Sequence, residues 1–303
     1  VQPFKKGERV LLVGEGEFPV VPVLQPYVTP SLLCCTAYDT GAVASQKYPD
    51  LATHITALRD AGATVLFGVD GTNLAQSKED RSIGFDKIVF NFPHVGQGIT
   101  DQARNIRANQ TLLLDFYRSA APLLRTGKAR ALGSSAKSNK GDSKSGSEDD
   151  DDDDEEEDLA AAAQEAQDIS DLGLLGDNSM QAGISAPAAP PPSANRGTVL
   201  LTLRTNGPYT SWLPSQLATK PSLLLPSLYP PHELKLRSTP QRGGEQPRYR
   251  TVRSWKFEMR KWEEEGYEHR RTIGYEEKYA ELGGEQQQHD IRTWEFELVT
   301  PED

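Results

Sequence analysis

Five short runs of apolar residues along this chain predict buried β-strands. The strands are centred on RVLLV, LLCCT, TVLF, KIVF and TVLLTLR, and the segments YPDLATHITALRDAG and ARNIRANQTLLLDFYRSAAPLL have apolar residues at helical spacing. Strands that are apolar on both faces and alternate with helices are typical of a parallel sheet covered on both sides. The pattern therefore predicts an α/β fold with a doubly wound, mostly parallel sheet. The alternating segment RTWEFELV predicts a last strand, antiparallel at or near the sheet edge.

Residues 131–196 interrupt this pattern with a low-complexity segment. It is rich in Ser and Lys, then acidic, then rich in Ala and Gln, and it ends in a proline-rich stretch. Such a composition buries too little apolar surface to order itself. The strand TVLLTLR beyond it is needed to complete the sheet. We therefore expect residues 1–130 and 197–303 to form one domain, with residues 131–196 as a disordered insertion.

The net charge of −11 is concentrated in this insertion. Eleven consecutive acids run from Glu148 to Asp158, and the insertion holds sixteen acids and four bases, so the rest of the chain is near neutral. The acidic balance therefore does not exclude RNA as a partner. We expect the acidic tract to contact basic proteins, and a solvated tract without a partner is the plainer alternative.

The two cysteines, Cys34 and Cys35, are neighbours in a predicted strand. Their side chains then point to opposite faces, which is poor geometry for a disulfide between them. They are expected to be small buried residues in a reducing compartment. The chain has no run of eighteen apolar residues and no evident metal constellation. We expect a monomer that binds neither a membrane nor a metal.

Polar residues follow the predicted strands, and ligands of doubly wound sheets bind beyond the carboxyl ends of the strands. These residues are Gly14–Phe18, Asp39, Asp70 and Asn91–His94. The two glycines of VGEGEF permit a close backbone approach to a ligand, and Asp39 lies near the spacing at which an acid accepts from ribose hydroxyls. A dinucleotide and S-adenosylmethionine both fit that arrangement. Pro19 replaces the third glycine of the dinucleotide pattern, and Glu15 and Glu17 add negative charge where a pyrophosphate would lie. The loop therefore favours S-adenosylmethionine.

The strand KIVF leads into the turn NFPH, Asn91–His94. Methyl transfer to a planar nitrogen requires mainly orientation of the base. An Asn side chain and backbone carbonyls can bind the base edge while a neighbouring ring stacks on its face. The turn resembles, in rearranged order, the Asn/Asp-Pro-Pro-aromatic turn of amino-methyltransferases. It has no cysteine of the kind that carbon-5 methylation of pyrimidines usually needs, which favours a nitrogen target. For the tetrapeptide alone, a structural turn capped by Asn is the default reading.

The segment 235–257 carries seven basic residues and one acid, with two aromatic residues between them. Neutralisation of phosphates together with a stacking surface is what an RNA contact requires. We therefore predict RNA contacts from Arg248, Tyr249, Arg250 and Arg253. A solvated loop that runs into an ordinary strand is the alternative.

Seven segments together resemble the BMT-type large-subunit (25S) rRNA uridine-N(3)-methyltransferase family of fungi and its plant and animal relatives. They are LLVGEGEF, TAYD, KYPDLATHITALRDAGATVLFGVDGTNL, FDKIVFNFPHVG, NQTLLLDFYRSAAPLL, TVLLTLRTNGPYTSW and GYEHRRTIG. The resemblance covers most of residues 6–274. It implies a Rossmann-like S-adenosylmethionine-dependent methyltransferase domain and 3-methyluridine as the product. It also implies large-subunit ribosomal RNA or a pre-ribosomal particle as partner, and a setting in the nucleus and nucleolus during ribosome biogenesis.

By position, the resemblance also implies roles for single residues. The cofactor loop is Gly14, Glu15, Gly16 and Phe18, and the strand-end acids are Asp39 and Asp70. The target-base turn is Asn91, Phe92, Pro93 and His94, and the fifth strand is followed by Tyr209 and Trp212. A C-terminal signature, which we assign to RNA binding, consists of Tyr267, His269 and Arg270. The family usually continues its glycine loop into a helix, whereas this chain has prolines at 19, 22, 26 and 30. We therefore expect the first helix to be short or lost.

The imide nitrogen of uridine carries a proton at neutral pH, so methylation calls for a base or for a contact that stabilises the anion. His94 is the first candidate for the base and Asp70 the second, and a structural donor is the plainer role for His94. Two other classes stay open: a dinucleotide oxidoreductase, and a non-catalytic nucleolar binding protein that has lost its cofactor.

Overall fold

The computed structural model describes residues 2–16, 18, 24, 26–48, 50–74, 84–96, 99–130, 195–237, 245–264, 291–301 and 303. The chain divides into two units, one of residues 1–130 and 179–303 and one of residues 131–178. The predicted insertion, except for its last two residues, lies outside the described residues. So do Tyr267, His269 and Arg270, as well as prolines 19 and 22 on which the prediction of a shortened first helix mostly rests.

Within the described residues, seven strands form a single sheet. They are β1 (Val10–Val13), β2 (Leu33–Thr36), β3 (Thr64–Leu66), β4 (Lys87–Asn91), β5 (Thr198–Arg204), β6 (Tyr249–Lys256) and β7 (Ile291–Leu298). Their order across the sheet is β3-β2-β1-β4-β5-β7-β6. The first five strands pair in parallel, whereas β7 is antiparallel to both of its neighbours. The α/β fold and the antiparallel last strand are confirmed.

The position of β7 distinguishes this sheet from a dinucleotide-binding sheet. In the latter, the sixth strand lies directly beside the fifth. Here β7 lies between β5 and β6, so that β6 forms the sheet edge.

Seven described α-helices accompany the sheet. They are α1 (Gly41–Lys47), α2 (Leu51–Asp60), α3 (Gln102–Ala120), α4 (Pro214–Thr219), α5 (Pro221–Leu228), α6 (Pro231–Arg237) and α7 (Met259–Glu264). The helices α2 and α3 confirm the two predicted from periodicity. Asp101 begins α3 by accepting a hydrogen bond from the backbone N–H of Arg104 at 2.6 Å. Within the described part of the chain, no helix has the length and apolar character needed to cross a membrane.

The core is built on both faces of the sheet. Leu11 and Val13 of β1 pack in the cluster that includes residues of α3, whereas Val10 and Leu12 pack in the cluster that includes residues of α2. This alternation explains why β1 is apolar at every position, because each face of the strand is buried.

The two cysteines also divide between these clusters. Cys34 packs on the α3 side and Cys35 on the α2 side, and both are free thiols with no exposed surface. Burial raises the pKa of the Cys34 thiol to about 12. The prediction that these residues are small buried groups is confirmed.

Candidate active site

A cavity of about 370 Å³ opens at the carboxyl ends of β1 and β4, a volume in the range of small-molecule sites. It is lined by Val13, Gly14, Tyr38, Val69, Asp70, Gly71, Thr72, Phe90, Asn91, Phe92, Pro93, His94, Val95 and Leu112. Six residues that the sequence predicted as site residues meet here, namely Gly14, Asp70 and the four residues of the turn. They come from loops that follow separate strands, which the doubly wound topology brings to one edge.

Two glycines let the backbone form part of the cavity wall. Gly14 has a φ of +69°, and a Cβ added there would lie 3.0 Å from the ring of Phe90. A Cβ added at Gly71 would lie 3.0 Å from a methyl group of Val13. Side chains at these positions would therefore press against residues that line the cavity, and Gly14 in addition needs a backbone conformation that glycine adopts readily.

Asp70 supplies a carboxylate at the same wall. Its Oδ1 accepts hydrogen bonds from the backbone N–H and from the hydroxyl of Thr72, each at 2.8 Å. This turn holds the carboxylate in one orientation beside Gly71.

The charge of the cavity favours a cationic ligand. Among the described residues that line it, Asp70 is a carboxylate and none is Lys or Arg. Partial desolvation lowers the pKa of His94, which favours the neutral imidazole. A pyrophosphate would meet no positive side chain here, whereas a positively charged ligand would meet Asp70.

Glu15 lies behind the cavity and contacts Asn91. Its carboxyl group is buried, and its Oε1 accepts a hydrogen bond from Nδ2 of Asn91 at 3.0 Å. Burial raises the pKa of Glu15 to about 7, against the opposing effect of the hydrogen bond from Asn91. The sequence assigned Glu15 to the cofactor, but in the structure the side chain orients the amide of Asn91.

The turn after β4 has a constrained backbone. Phe92 adopts a φ of +48°, which is uncommon for an aromatic residue. Its N–H donates to the carbonyl of Thr202 on β5 at 2.8 Å, and its ring packs edge-on against Phe257 at 6.2 Å. Strained conformations of this kind concentrate at functional sites. The pairing with β5 fixes the direction in which the turn leaves the sheet.

The imidazole of His94 is held by the backbone of Gly96 and by aromatic side chains. The N–H of Gly96 donates to Nδ1 of His94 at 2.9 Å. The imidazole packs against the ring of Trp212 with centroids 5.7 Å apart, and Trp212 in turn packs against Tyr209 at 4.9 Å. The two aromatic residues that the resemblance singled out after the fifth strand therefore form the support of the turn.

Besides Glu15, three residues predicted to bind the cofactor do not line the cavity. A Cβ on Gly16 would lie 3.1 Å from the hydroxyl of Tyr48, and Phe18 is buried with its ring edge-on to Phe67. The carboxylate of Asp39 pairs with Lys47 at 3.0 Å. Gly16 and Phe18 shape the loop from behind, and Asp39 lies next to the lining residue Tyr38.

Sequence reasoning missed several residues that build the site. Tyr38 lines the cavity with 71% of its surface exposed. Asn109, buried on α3, accepts from the N–H of Val95 at 3.0 Å and so anchors the end of the turn. The motif TAYD contained the signal for Tyr38, because a residue next to a strand-end acid lies at the same edge. Nothing local marks Asn109, whose partner is fourteen positions away.

Two arginines of the basic segment pair with buried carboxylates on β7. Arg250 donates to Glu297 on β7 at 3.1 Å, and Arg253 donates to Glu295 at 2.5 Å. Both glutamates are buried. Burial alone would raise the pKa of Glu295, but Lys87 and Arg253 outweigh it and lower the pKa to about 2.

Tyr249 lies in the core and not on the surface. It is 1% exposed, and its hydroxyl donates to the carbonyl of Tyr117 at 2.7 Å. A ring in the core offers no stacking face, which removes Tyr249 from the predicted RNA contacts. Arg248 is exposed, and RNA contacts from Arg248, Arg250 and Arg253 stay predictions.

Comparison with known proteins identifies relatives. The family model BMT5-like, described as rRNA (uridine-N3-)-methyltransferase BTM5-like, matches residues 11–271. The chain is 34% identical over 145 residues to the 25S rRNA (uridine(2634)-N(3))-methyltransferase of Saccharomyces cerevisiae. The aligned region covers 41% of this chain and 43% of that protein. It is 33% identical over 127 residues to Heavy metal-associated isoprenylated plant protein 41 of Arabidopsis thaliana. That aligned region covers 41% of this chain and 25% of the plant protein. The chain spans less than half the length of either relative.

Proposed function

Because the chain belongs to the BMT5-like rRNA (uridine-N3-)-methyltransferase family, we propose that it transfers a methyl group from S-adenosylmethionine to N3 of a uridine in large-subunit ribosomal RNA. The observation that carries this proposal is the cavity in which Gly14, Asp70 and the turn Asn91–His94 meet. The name of the yeast relative supports the class of substrate.

The chemistry of the cavity fits S-adenosylmethionine, which supplies an electrophilic methyl group on a positively charged sulfur when it is bound. Gly14 and Gly71 would hold it through backbone that lies close to the cavity, and Tyr38 would contribute an aromatic face. The carboxylate of Asp70, fixed by Thr72, would accept hydrogen bonds from its polar groups or offset its charge. The absence of Lys and Arg among the described lining residues disfavours a dinucleotide.

The turn would hold the target base. Transfer to a planar nitrogen depends on alignment, which a fixed binding edge supplies. The amide of Asn91 is oriented by Glu15, and the backbone at Phe92 is fixed by Thr202. The turn can therefore present hydrogen-bonding groups to a uracil edge without having to reorganise first.

We further propose that the protein works in the nucleus and nucleolus during ribosome biogenesis, on ribosomal RNA or a pre-ribosomal particle. In this proposal residues 1–130 and 197–303 form the catalytic domain, and the acidic segment within residues 131–196 contacts basic proteins. Arg248 on the described surface and Tyr267, His269 and Arg270 outside the described residues would contribute RNA contacts.

Methyl transfer to ribosomal RNA from cells that lack this modification tests the proposal. The RNA is incubated with the full chain and labelled S-adenosylmethionine, digested to nucleosides and analysed by mass spectrometry. We expect 3-methyluridine with the wild-type chain and with Gln216→Ala, which removes an exposed amide away from the cavity. We expect Asn91→Ala to abolish the product while S-adenosylhomocysteine still binds.

Other outcomes identify the alternative classes. The absence of product together with no binding of S-adenosylhomocysteine would contradict the proposal and favour a binding protein without a cofactor. Binding of NAD instead of S-adenosylhomocysteine would favour an oxidoreductase.

A further inference from the structure

We propose that His94 donates a hydrogen bond from Nε2 to a carbonyl oxygen beside N3 of the target uracil, and that it is not the base that removes the N3 proton. This inference rests on the function proposed above. It starts from the hydrogen bond between the N–H of Gly96 and Nδ1 of His94, 2.9 Å long.

That hydrogen bond fixes the position of the proton on the ring. A backbone N–H can only donate, so Nδ1 accepts with its lone pair and carries no hydrogen. In a neutral imidazole with an unprotonated Nδ1, the hydrogen lies on Nε2. Protonation of Nδ1 would break the bond to Gly96, and partial desolvation in addition lowers the pKa of His94. The neutral ring with hydrogen on Nε2 is therefore the form that this turn stabilises.

The donor is free to act on a ligand. Within the described residues, Nε2 makes no hydrogen bond, and His94 lines the cavity. The other titratable groups among the described lining residues are Asp70 and Tyr38. The carboxylate of Asp70 accepts hydrogen bonds at Oδ1, and both come from Thr72 and not from His94.

The ring is held rigidly enough to position a donor. The imidazole contacts, at a tilt of 45°, the ring of Trp212, which is 1% exposed. The next residue, Val95, is tied to the buried Asn109. Groups whose orientation is locked by packing and by hydrogen bonds bind a developing charge without reorganisation.

Uracil makes this donor useful. Its N3 lies between two carbonyl groups, and loss of the N3 proton leaves a negative charge shared between N3 and both oxygens. The N3–H bond breaks, its electron pair remains on the ring, and the proton passes to water in the open cavity. A donor to one carbonyl oxygen binds the anion more strongly than the neutral base, and so stabilises the form of uracil whose N3 can accept a methyl group. His94 could not take the N3 proton, because its Nε2 already carries a hydrogen and its Nδ1 lone pair accepts from Gly96.

Two variants separate a donor from a base. Glutamine keeps an N–H donor but does not titrate near neutral pH, whereas alanine removes the donor. In single-turnover methyl transfer we expect His94→Ala to lose about 10²–10³ in rate, as when one donor to an oxyanion is removed, and His94→Gln to keep most of the rate. For a donor, the rates of the wild-type chain and of His94→Gln should have the same pH dependence between about pH 6 and 8, because the groups that titrate there, N3 of the uracil and Glu15 beside Asn91, are present in both reactions.

The opposite pattern would overturn the inference. If His94 were the base, His94→Gln would be as inactive as His94→Ala, and the wild-type rate would show a pH-dependent step that the residual rate of His94→Gln lacks. Binding of S-adenosylhomocysteine and thermal unfolding, measured on both variants, identify any loss that comes from misfolding.

A second measurement does not depend on activity. Nitrogen-15 NMR of the full chain labelled at histidine, with His94→Gln to assign the signal, reports which ring nitrogen carries hydrogen. We expect a protonated Nε2 and an unprotonated Nδ1 at pH 7, and hydrogen on Nδ1 would contradict the inference. If the wild-type chain forms no 3-methyluridine, the proposed function fails, and this spectrum still decides the state of the ring.

Discussion

The end of β4 and the edge strand β6 both carry a dense set of polar side chains, but these side chains meet different partners. Asn91 and His94 at the end of β4 line a cavity. Arg250 and Arg253 on β6 instead donate to the buried carboxylates of Glu297 and Glu295.

The difference shows what determines whether a polar residue binds a ligand. At the carboxyl end of a parallel strand the chain leaves the sheet, so that its side chains point into the crevice shared with neighbouring strands. Within an antiparallel edge pair, residues opposite each other form cross-strand pairs. The arginines of β6 therefore pair with the glutamates of β7, whereas the turn after β4 lines the cavity.

The largest expected effect comes from removing a buried partner on the β6 side. We expect Glu295→Gln to lower the free energy of unfolding by about 3–5 kcal/mol, because it leaves the charge of Lys87 buried without its counter-ion. Urea unfolding at pH 7 measures this loss, and Glu258→Gln on the exposed surface is the control.

The pH dependence sharpens that prediction. Glu295 has a pKa of about 2 in the folded chain against an ordinary value of 4.5. Its contribution is complete above about pH 4.5 and is lost as the pH falls towards 2. A loss below 1 kcal/mol at pH 7 would mean that the pair does not hold the sheet together.

The carboxyl group behind the turn should have the opposite pH dependence. The pKa of Glu15 is about 7 in the folded chain against an ordinary value of 4.5, so the folded state binds the proton more tightly than the unfolded state does. Stability should therefore fall as the pH rises from about 4.5 to 7. Relative to Glu15→Gln, which does not titrate, the wild-type chain should lose about 2–4 kcal/mol of unfolding free energy across this window.

Urea unfolding at pH 5 and pH 8 checks this prediction, with Gln216→Ala as a variant that titrates no group. A gap between wild type and Glu15→Gln that is the same at both pH values would show that Glu15 does not ionise near neutrality.

The glycine loop gives a prediction with a matched control. Gly14→Ala and Gly7→Ala both place a Cβ on a left-handed backbone, which costs about 1–2 kcal/mol. Only the Cβ at Gly14 would meet a side chain that lines the cavity, since no atom lies within 4 Å of the one at Gly7. We expect calorimetry to show at least about tenfold weaker binding of S-adenosylhomocysteine for Gly14→Ala alone. Equal affinities for the two variants would place the cofactor elsewhere.

The smallest effect should come from the exposed arginine next to β6. Arg248→Ala is expected to leave unfolding unchanged and to reduce the salt dependence of RNA binding by about one unit of slope, as for the loss of one phosphate contact. Filter binding between low and moderate salt measures the slope. An unchanged slope would remove Arg248 from the RNA interface.

Much of the fold followed from the sequence because its elements are marked by local patterns. Apolar runs marked β1 to β5, and periodicity marked α2 and α3. The helices α4 to α6 were missed because each begins with a proline, a residue that interrupts a helix interior but fits its first turn.

The sequence predicted those site residues whose position follows from the sheet topology. It did not predict those whose role depends on contacts between residues far apart in the chain. Gly14, Asp70 and Asn91 follow parallel strands, and this was sufficient to place them at one edge. The contact of Glu15 with Asn91 joins residues 76 positions apart. The burial of Tyr249 depends on its pairing with β7 and on Tyr117, and no pattern within the basic segment indicates either.

The contrast between the two regions is tested most directly by comparing Asn91→Ala with Arg250→Ala in one assay of single-turnover methyl transfer, with each rate divided by the folded fraction. We predict that Asn91→Ala loses at least about 100-fold in rate per folded molecule while it still binds S-adenosylhomocysteine. We predict that Arg250→Ala unfolds more readily, while its rate per folded molecule stays within about twofold of wild type. The reverse result, a stable Arg250→Ala that cannot transfer the methyl group beside an active Asn91→Ala, would contradict the account.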